Sequence, residues 1–214
     1  MSKVKVGKKN TKFIALSQGI EYLPHRNEYR NFVDQNIVDF IESCNFKTIL
    51  INNFLKKKKY NQQKRNLSNF LNNFQFSGII LSSGNDLREF VQRDTTEKYL
   101  ISHAINYSIP LLGVCRGMQI INTFFGGTLK KINNHVRKFN NISYENSKKK
   151  IKCYHNFGIS KLGKEILVTG KSEDNEIESL KHAKHKVHGW MWHPERNKKY
   201  FNNFKREINK IFIT

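Results

Sequence analysis

The chain predicts an α/β fold: a mostly parallel central sheet flanked by helices, with an antiparallel strand extension toward the C-terminus. Three observations carry this. Short apolar runs recur at residues 13–16, 48–51, 78–81 and 109–114, the pattern of strands buried on both faces of a parallel sheet. Segments between them place apolar residues at helical spacing, which makes βαβ units. After Gly126 and Gly127 the alternation stops, and short strand-like stretches follow one another.

Taken in order, residues 1–11 read as a disordered polar tail, and a single domain spans 12–214. The first strand is 13–16, followed by a polar loop over 18–30. A helix over 31–43 is predicted from Phe32, Val33, Ile37, Phe40 and Ile41. The second strand is 48–51. A Lys-, Asn- and Gln-rich connection at 56–67 leads to a short helix near 67–74. The third strand, 78–81, runs into a turn at 82–86. A helix over 94–107 turns Leu100, Ile101, Ala104 and Ile105 inward, and the fourth strand, 109–114, feeds a helix ending near 125. Residues 133–150 read as a polar loop. Short strands are expected at 151–154, 165–169, 176–180 and 187–192. A closing helix at 197–212 turns Phe201, Phe204, Ile208 and Ile211 inward. No repeat and no interdomain linker interrupts the pattern.

The composition, 38% hydrophobic and 26% charged over 214 residues, suits one globular domain with a full core. No apolar run is long enough to span a bilayer. The basic N-terminus is followed only by the apolar run 13–16, too short for a secretory segment. Three cysteines, few and odd in number, point to free thiols in a reducing cytoplasm. The net charge of +21 suggests a nucleic-acid binder, yet the charge is scattered and no nucleic-acid module is present. Lysines filling solvated positions explain it as well, and attraction of an anionic substrate is a third reading. The densest runs, Lys56–Lys59 and Lys148–Lys150, fall where loops are expected.

The most informative stretch sets Cys115 between Gly113 and Gly117, after an apolar run and before a helical pattern. That is a sharp strand-to-helix turn with a nucleophile at its apex, where side chains on the neighbours would clash. A helix N-terminus favours thiolate and a developing oxyanion. Taken alone, the motif also fits a serine-hydrolase-like variant or a peptidase. Near the C-terminus, His193 follows Trp192 and precedes Pro194, which ends the strand. Glu195, two residues on, can hold the imidazole's tautomer. Cys115, His193 and Glu195 thus supply the parts of a triad. Gln119 lies one helical turn after Cys115, on the same face.

These residues, with Gly126, Gly127, Thr128 and Leu129, resemble the class I glutamine amidotransferase-like superfamily over about residues 12–200. The turn at 82–86, then Tyr154 and His155, then the Trp192–Glu195 motif follow the order of its gamma-glutamyl hydrolase branch, peptidase family C26. The resemblance implies a flavodoxin-like sheet. It also implies a cysteine hydrolase that cleaves gamma-glutamyl amides through a glutamyl thioester, with no cofactor. By resemblance, the backbone N–H groups of Gly84 and Arg116 form the oxyanion hole. Gln119, Tyr154 and His155 would contact the glutamyl substrate. Two departures stand out: Ser83, where the family often has Gly, and Lys152 and Cys153, in place of the more usual Asn and Ser.

A second constellation, Arg26, Glu28 and Arg30 with Asp34 and Gln35, follows the first strand on the sheet edge expected to hold the site. Together with Arg116, His135 and Arg137 it can grip an amino acid and an anion by bidentate contacts, or simply begin a charged helix. The pattern resembles a bacterial subgroup that cleaves gamma-glutamyl-CDP-amidate in capsule or surface-polysaccharide biosynthesis. No Cys/His cluster has zinc spacing, and His182, His185 and His188 read as a strand approach, so no metal is expected. The expected partner is a small gamma-glutamyl substrate, without membrane or nucleic acid. The alternative is a glutaminase subunit that delivers ammonia to a separate synthetase.

Overall fold

The computed structural model describes residues 11–55 and 59–213. Most of the expected tail, residues 1–10, and Lys56, Lys57 and Lys58 of the first lysine run lie outside the described residues. In chain order the elements are β1 (Phe13–Ser17), β2 (Gly19–Leu23), β3 (Glu28–Phe32), α1 (Gln35–Ser43), β4 (Lys47–Ile51), α2 (Tyr60–Asn72), β5 (Phe76–Leu81), α3 (Val91–Asn106), β6 (Leu111–Val114), α4 (Arg116–Phe124), β7 (Thr128–Lys131), β8 (Val136–Tyr144), β9 (Ser147–Tyr154), β10 (Phe157–Lys161), β11 (Ile166–Ser172), β12 (Ile177–His182), β13 (Val187–Trp190) and α5 (Phe201–Ile213).

Nine strands form one sheet in the order β4-β1-β5-β6-β13-β12-β11-β8-β9. The first five run parallel, and the last four extend the sheet antiparallel. Alternate residues of the parallel strands supply two cores. Ile14, Leu16, Ile80 and Leu112 pack with Ile37 and Phe40 of α1 and with Phe204, Ile208 and Phe212 of α5. Ala15, Ile79, Leu81 and Leu111 pack with Leu100, Ile101 and Ala104 of α3 and with Met118 and Ile121 of α4. Burial on both faces explains why these strands read as unbroken apolar runs. Among the described residues no helix is long and apolar enough to cross a membrane.

Several expectations are corrected. The polar loop at 18–30 is mostly a β2–β3 hairpin, with Tyr22 opposite Tyr29 and their rings 4.6 Å apart. Asn27 turns the chain with φ 49°. Charged residues on both exposed faces hid the alternation. The first helix therefore starts at Gln35 rather than 31, where the Asp34 carboxylate accepts the Asn36 N–H at 3.0 Å. The second helix starts at Tyr60, and α3 starts at Val91 because its first turns bury polar side chains, Arg93, Thr96 and Glu97, that apolar spacing does not count.

The loop expected at 133–150 is largely the β8–β9 hairpin, so Lys148–Lys150 lie in a strand. Its turn has positive φ at Glu145 and Asn146, the geometry that suits a tight hairpin. Ile142 and Tyr144, then Ile151 and Cys153, point inward while Asn and Lys cover the outer face. β7 and β10 form a small separate antiparallel pair that apolar periodicity did not show. β13 stops at Trp190 rather than 192. The closing helix begins at Phe201 after two short 3-10 turns, with Phe212 buried and Ile211 only partly so.

Candidate active site

The C-terminal ends of β1, β5, β6 and β13 converge, and loops leaving them build one cleft, the usual place for a site in such sheets. At its base Cys115 follows β6, with φ 52° and ψ −105° before α4 begins. A Cβ on Gly113 would sit 2.3 Å from the Gly117 carbonyl, and one on Gly117 would sit 2.3 Å from the Leu81 carbonyl oxygen. The turn is therefore closed to any larger residue at either position. The Cys115 N–H donates to the Trp190 carbonyl at 2.7 Å, which ties the turn to β13. A non-glycine residue held in this region is strained, and such strain persists only where the surroundings fix it.

His193 follows β13 and is buried. Its Nδ1 lies 2.7 Å from Glu195 Oε1. Burial pushes the imidazole down, but hydrogen bonds with Cys115 and Glu195 and their charges outweigh it and hold it at about 9. The Tyr154 ring stands edge-on to His193 with centroids 5.4 Å apart, and the Arg196 guanidinium lies over Tyr154 at 5.0 Å.

Gly84 occupies the turn after β5 with φ +92°, which favours glycine. The turn is braced from behind by the fully buried Arg93, whose guanidinium donates to the carbonyls of Ser82 (2.9 Å) and Ser83 (2.8 Å) and to Asn85 Oδ1 (3.0 Å). Asn85 also pairs with the Ile20 backbone through two 2.9 Å bonds, which joins the β2–β3 hairpin to this turn. Arg93 is balanced by Glu97 at 3.1 Å. Burial would raise the Glu97 carboxyl, but Arg93 and Arg116 hold it below the usual carboxylate range. The Arg116 side chain pairs with Glu97 and Asp94, so this arginine faces the buried network. Its backbone N–H and that of Gly84 have no partner among the described residues.

A cavity of about 540 Å³ is lined by Gly84, Cys115, Arg116, Gln119, Tyr154, His155 and His193. Glu195 sits behind His193. Gln119 donates to the Phe157 carbonyl at 3.2 Å. Arg26, Glu28 and Arg30 do not line this cavity. They lie on the hairpin arm, where Arg30 and Glu28 form an exposed pair at 2.8 Å. The hairpin reaches the cavity through Gly19 and Phe32. Asp34 does line it, paired with Arg196 at 2.7 Å. Arg137 is exposed on β8, and His135 is buried. Sequence reasoning missed the Arg93–Glu97 brace. The signal was an Arg and a Glu four residues apart at the start of a helix. It also missed Asn85 and Phe157.

His182 accepts the backbone N–H groups of Lys184 and His185 at 3.0 and 3.2 Å, so it closes a turn. A group with metal-ligand chemistry lies behind His155 instead: His135, Cys153, His155 and Glu178, all buried, with donor atoms within 4.8 Å of one another. The three cysteines are free.

The profile of the glutamine amidotransferase class-I family matches residues 29–207. A gamma-glutamyl-CDP-amidate hydrolase of Campylobacter jejuni is 37% identical over 124 residues, covering 55% of this chain and 62% of that protein. The chain thus spans less than two thirds of that relative's length. A glutamine-hydrolyzing GMP synthase subunit of Methanocaldococcus jannaschii is 26% identical over 152 residues, covering 65% of this chain and 76% of that one. A candidate GMP synthase subunit of Thermoplasma acidophilum superposes with a TM-score of 0.71 at 16% identity, over 95% of this chain and 94% of that one, and so shares the fold.

Proposed function

The chain belongs to the glutamine amidotransferase class-I family, and from that premise we propose that it is a cysteine hydrolase of gamma-glutamyl amides or phosphoramidates. One observation carries the proposal: a strained Cys115 at a helix N-terminus shares a cleft with His193, which is held by Glu195 at 2.7 Å.

In this reading Cys115 Sγ attacks the glutamyl γ-carbonyl. The unpaired N–H groups of Gly84 and Arg116 receive the oxyanion, stabilisation of a kind that contributes about 3–4 kcal/mol per donor. His193, kept protonated by its neighbours, gives its proton to the leaving nitrogen. A thioester remains on Cys115. His193, now neutral, takes a proton from water, and the hydroxide displaces the sulfur to release glutamate. Glu195 fixes the imidazole and stays ionised throughout. Gln119, Tyr154 and His155 hold the glutamyl part. Asp34, Asp86 and Glu89, which also line the cavity, suit its ammonium group.

The favoured leaving group is a CDP-amidate. The Campylobacter relative supports it by name, and the chain's net charge of +21 suits a nucleoside diphosphate. On this reading the chain serves surface-polysaccharide synthesis in the cytoplasm, where nucleotide-linked sugars are made. The second reading is a glutaminase subunit, favoured by the relatives that are subunits of glutamine-hydrolyzing GMP synthases. Acid-quenched single turnover followed by peptide mass analysis tests the chemistry. A glutamyl adduct on the Cys115 peptide is expected, and an adduct elsewhere, or none with glutamate still released, would refute it.

A further inference from the structure

The cavity wall at His155 continues into a buried cluster of which the proposed reaction touches only His155. His135 precedes β8, Cys153 and His155 lie at the end of β9, and Glu178 lies on β12. Cys153, His135 and Glu178 are fully buried and His155 nearly so. Glu178 Oε1 is 3.1 Å from His135 Nδ1 and 3.4 Å from His155 Nε2. Yet neither Glu178 oxygen, nor His155 Nε2, has a hydrogen-bond partner among the described residues. A buried carboxylate held only by ion-pair contacts that lack hydrogen-bond geometry is costly, so these groups call for a further ligand.

The far side of each ring says what that partner is. His155 Nδ1 lies 3.1 Å from the Phe157 carbonyl, which can only accept, so Nδ1 carries the proton. Its Nε2 then faces the Glu178 carboxylate. His135 Nε2 lies 2.8 Å from Asp174 Oδ2, which places one proton there and turns Nδ1 toward Glu178. Against the pull of burial, Glu178 and Asp174 hold this ring protonated, at about 9, so a cation at Nδ1 would displace a proton, and the Asn140 amide, 3.0 Å away, would have to turn aside. Two imidazoles, each with its outer N–H given to a carboxylate or a backbone carbonyl, are arranged as metal-ligating histidines are.

We infer that His135 Nδ1, Cys153 Sγ, His155 Nε2 and a Glu178 oxygen form a structural site for a zinc-like divalent cation. The donor set is two nitrogens, one sulfur and one oxygen, which suits zinc rather than calcium or magnesium. With ligand bonds of about 2.0–2.1 Å, the nitrogen and oxygen corners of a tetrahedron lie about 3.3 Å apart, close to the two separations found. Thiolate and carboxylate neutralise the dication, and four protein ligands leave no open position. Binding releases the Cys153 thiol proton and the second His135 proton to solvent. The cation would fasten β9 to β12 and fix the stretch from Tyr154 to Phe157, which forms a wall of the cavity. Sequence spacing does not show the set, because its members come from three separate segments.

The test uses the full chain, purified without a histidine tag or chelator. Zinc at one equivalent is expected. Replacement by cobalt should give the visible bands of a tetrahedral site and a thiolate-to-cobalt charge-transfer band. Cys153→Ser should remove the charge-transfer band, while Cys115→Ser and Cys44→Ser keep it. Stripping the metal should lower the melting temperature, and zinc should restore it. No cobalt band after loading, or a band lost with Cys115→Ser, overturns the site. The Cys115→Ser comparison decides even if Cys153→Ser fails to fold.

Discussion

The parallel and antiparallel halves of the sheet are one continuous surface built by different rules. β4, β1, β5, β6 and β13 are short strands, and the residues of the proposed chemistry follow their ends: Gly84 after β5, Cys115 after β6, His193 after β13. β12, β11, β8 and β9 are longer on average and half exposed, and they contribute through side chains within or next to the strands, such as Cys153, His155 and Glu178. His193 and Glu195 are two residues apart and meet at 2.7 Å. His155 and Glu178 approach at 3.4 Å only because β9 and β12 are placed by the fold. A site made at strand ends is written locally, and one made across strands is written in the topology.

Removal of the proposed nucleophile should have the largest effect. Cys115→Ala should lower glutamate release by at least about a thousandfold, with circular dichroism and melting temperature nearly unchanged. Measured turnover near the native rate would move the chemistry out of the parallel half. Next comes the brace beneath Gly84. Glu97→Ala leaves the buried Arg93 without its carboxylate and Arg116 with Asp94 alone, and should cost about 3–5 kcal/mol in urea unfolding; a loss under about 1 kcal/mol would show the network to be slack. Gly117→Ala forces a Cβ against the Leu81 carbonyl oxygen and should cost about 1–3 kcal/mol or more. An unchanged unfolding midpoint would mean that the turn can open.

A subtler test is pH. The folded His193 sits at about 9, above an unfolded value of about 6.5. Its contribution to stability is therefore complete below about pH 6.5 and lost as pH rises to about 9. The stability gap between the native chain and His193→Asn should shrink across that window, and a constant gap would contradict the assignment. The smallest effect is expected at the hairpin arm. Arg30→Ala should leave the melting temperature unchanged, because the pair with Glu28 is exposed. It should raise KM a few-fold only for substrates long enough to pass the cavity mouth, with kcat unchanged. Equal kinetics on every substrate would reduce the arm to scaffold.

The same division explains what the sequence made legible. The parallel strands stood out because burial on both faces leaves them uniformly apolar, and Cys115 stood out because its glycines sit at fixed spacing. Residues 18–30 and 133–150 read as loops because Asn, Lys and Glu fill the outer faces of the two hairpins, and only 151–154 of β9 reads as a strand. The inward alternation of Ile142, Tyr144, Ile151 and Cys153 was the signal available. Arg93 and Glu97 were invisible to apolar periodicity, since a buried ion pair looks like surface until its partners are placed.

The most direct measurement is glutamate release by the purified chain alone, on glutamine, gamma-glutamyl peptides, gamma-glutamyl polyamines and gamma-glutamyl-CDP-amidate, with Cys115→Ala as control. Fast release from gamma-glutamyl-CDP-amidate, slow release from glutamine and none from the variant are expected. Release that survives Cys115→Ala, or glutamine turnover that appears only when a synthetase is added, would contradict the proposed function.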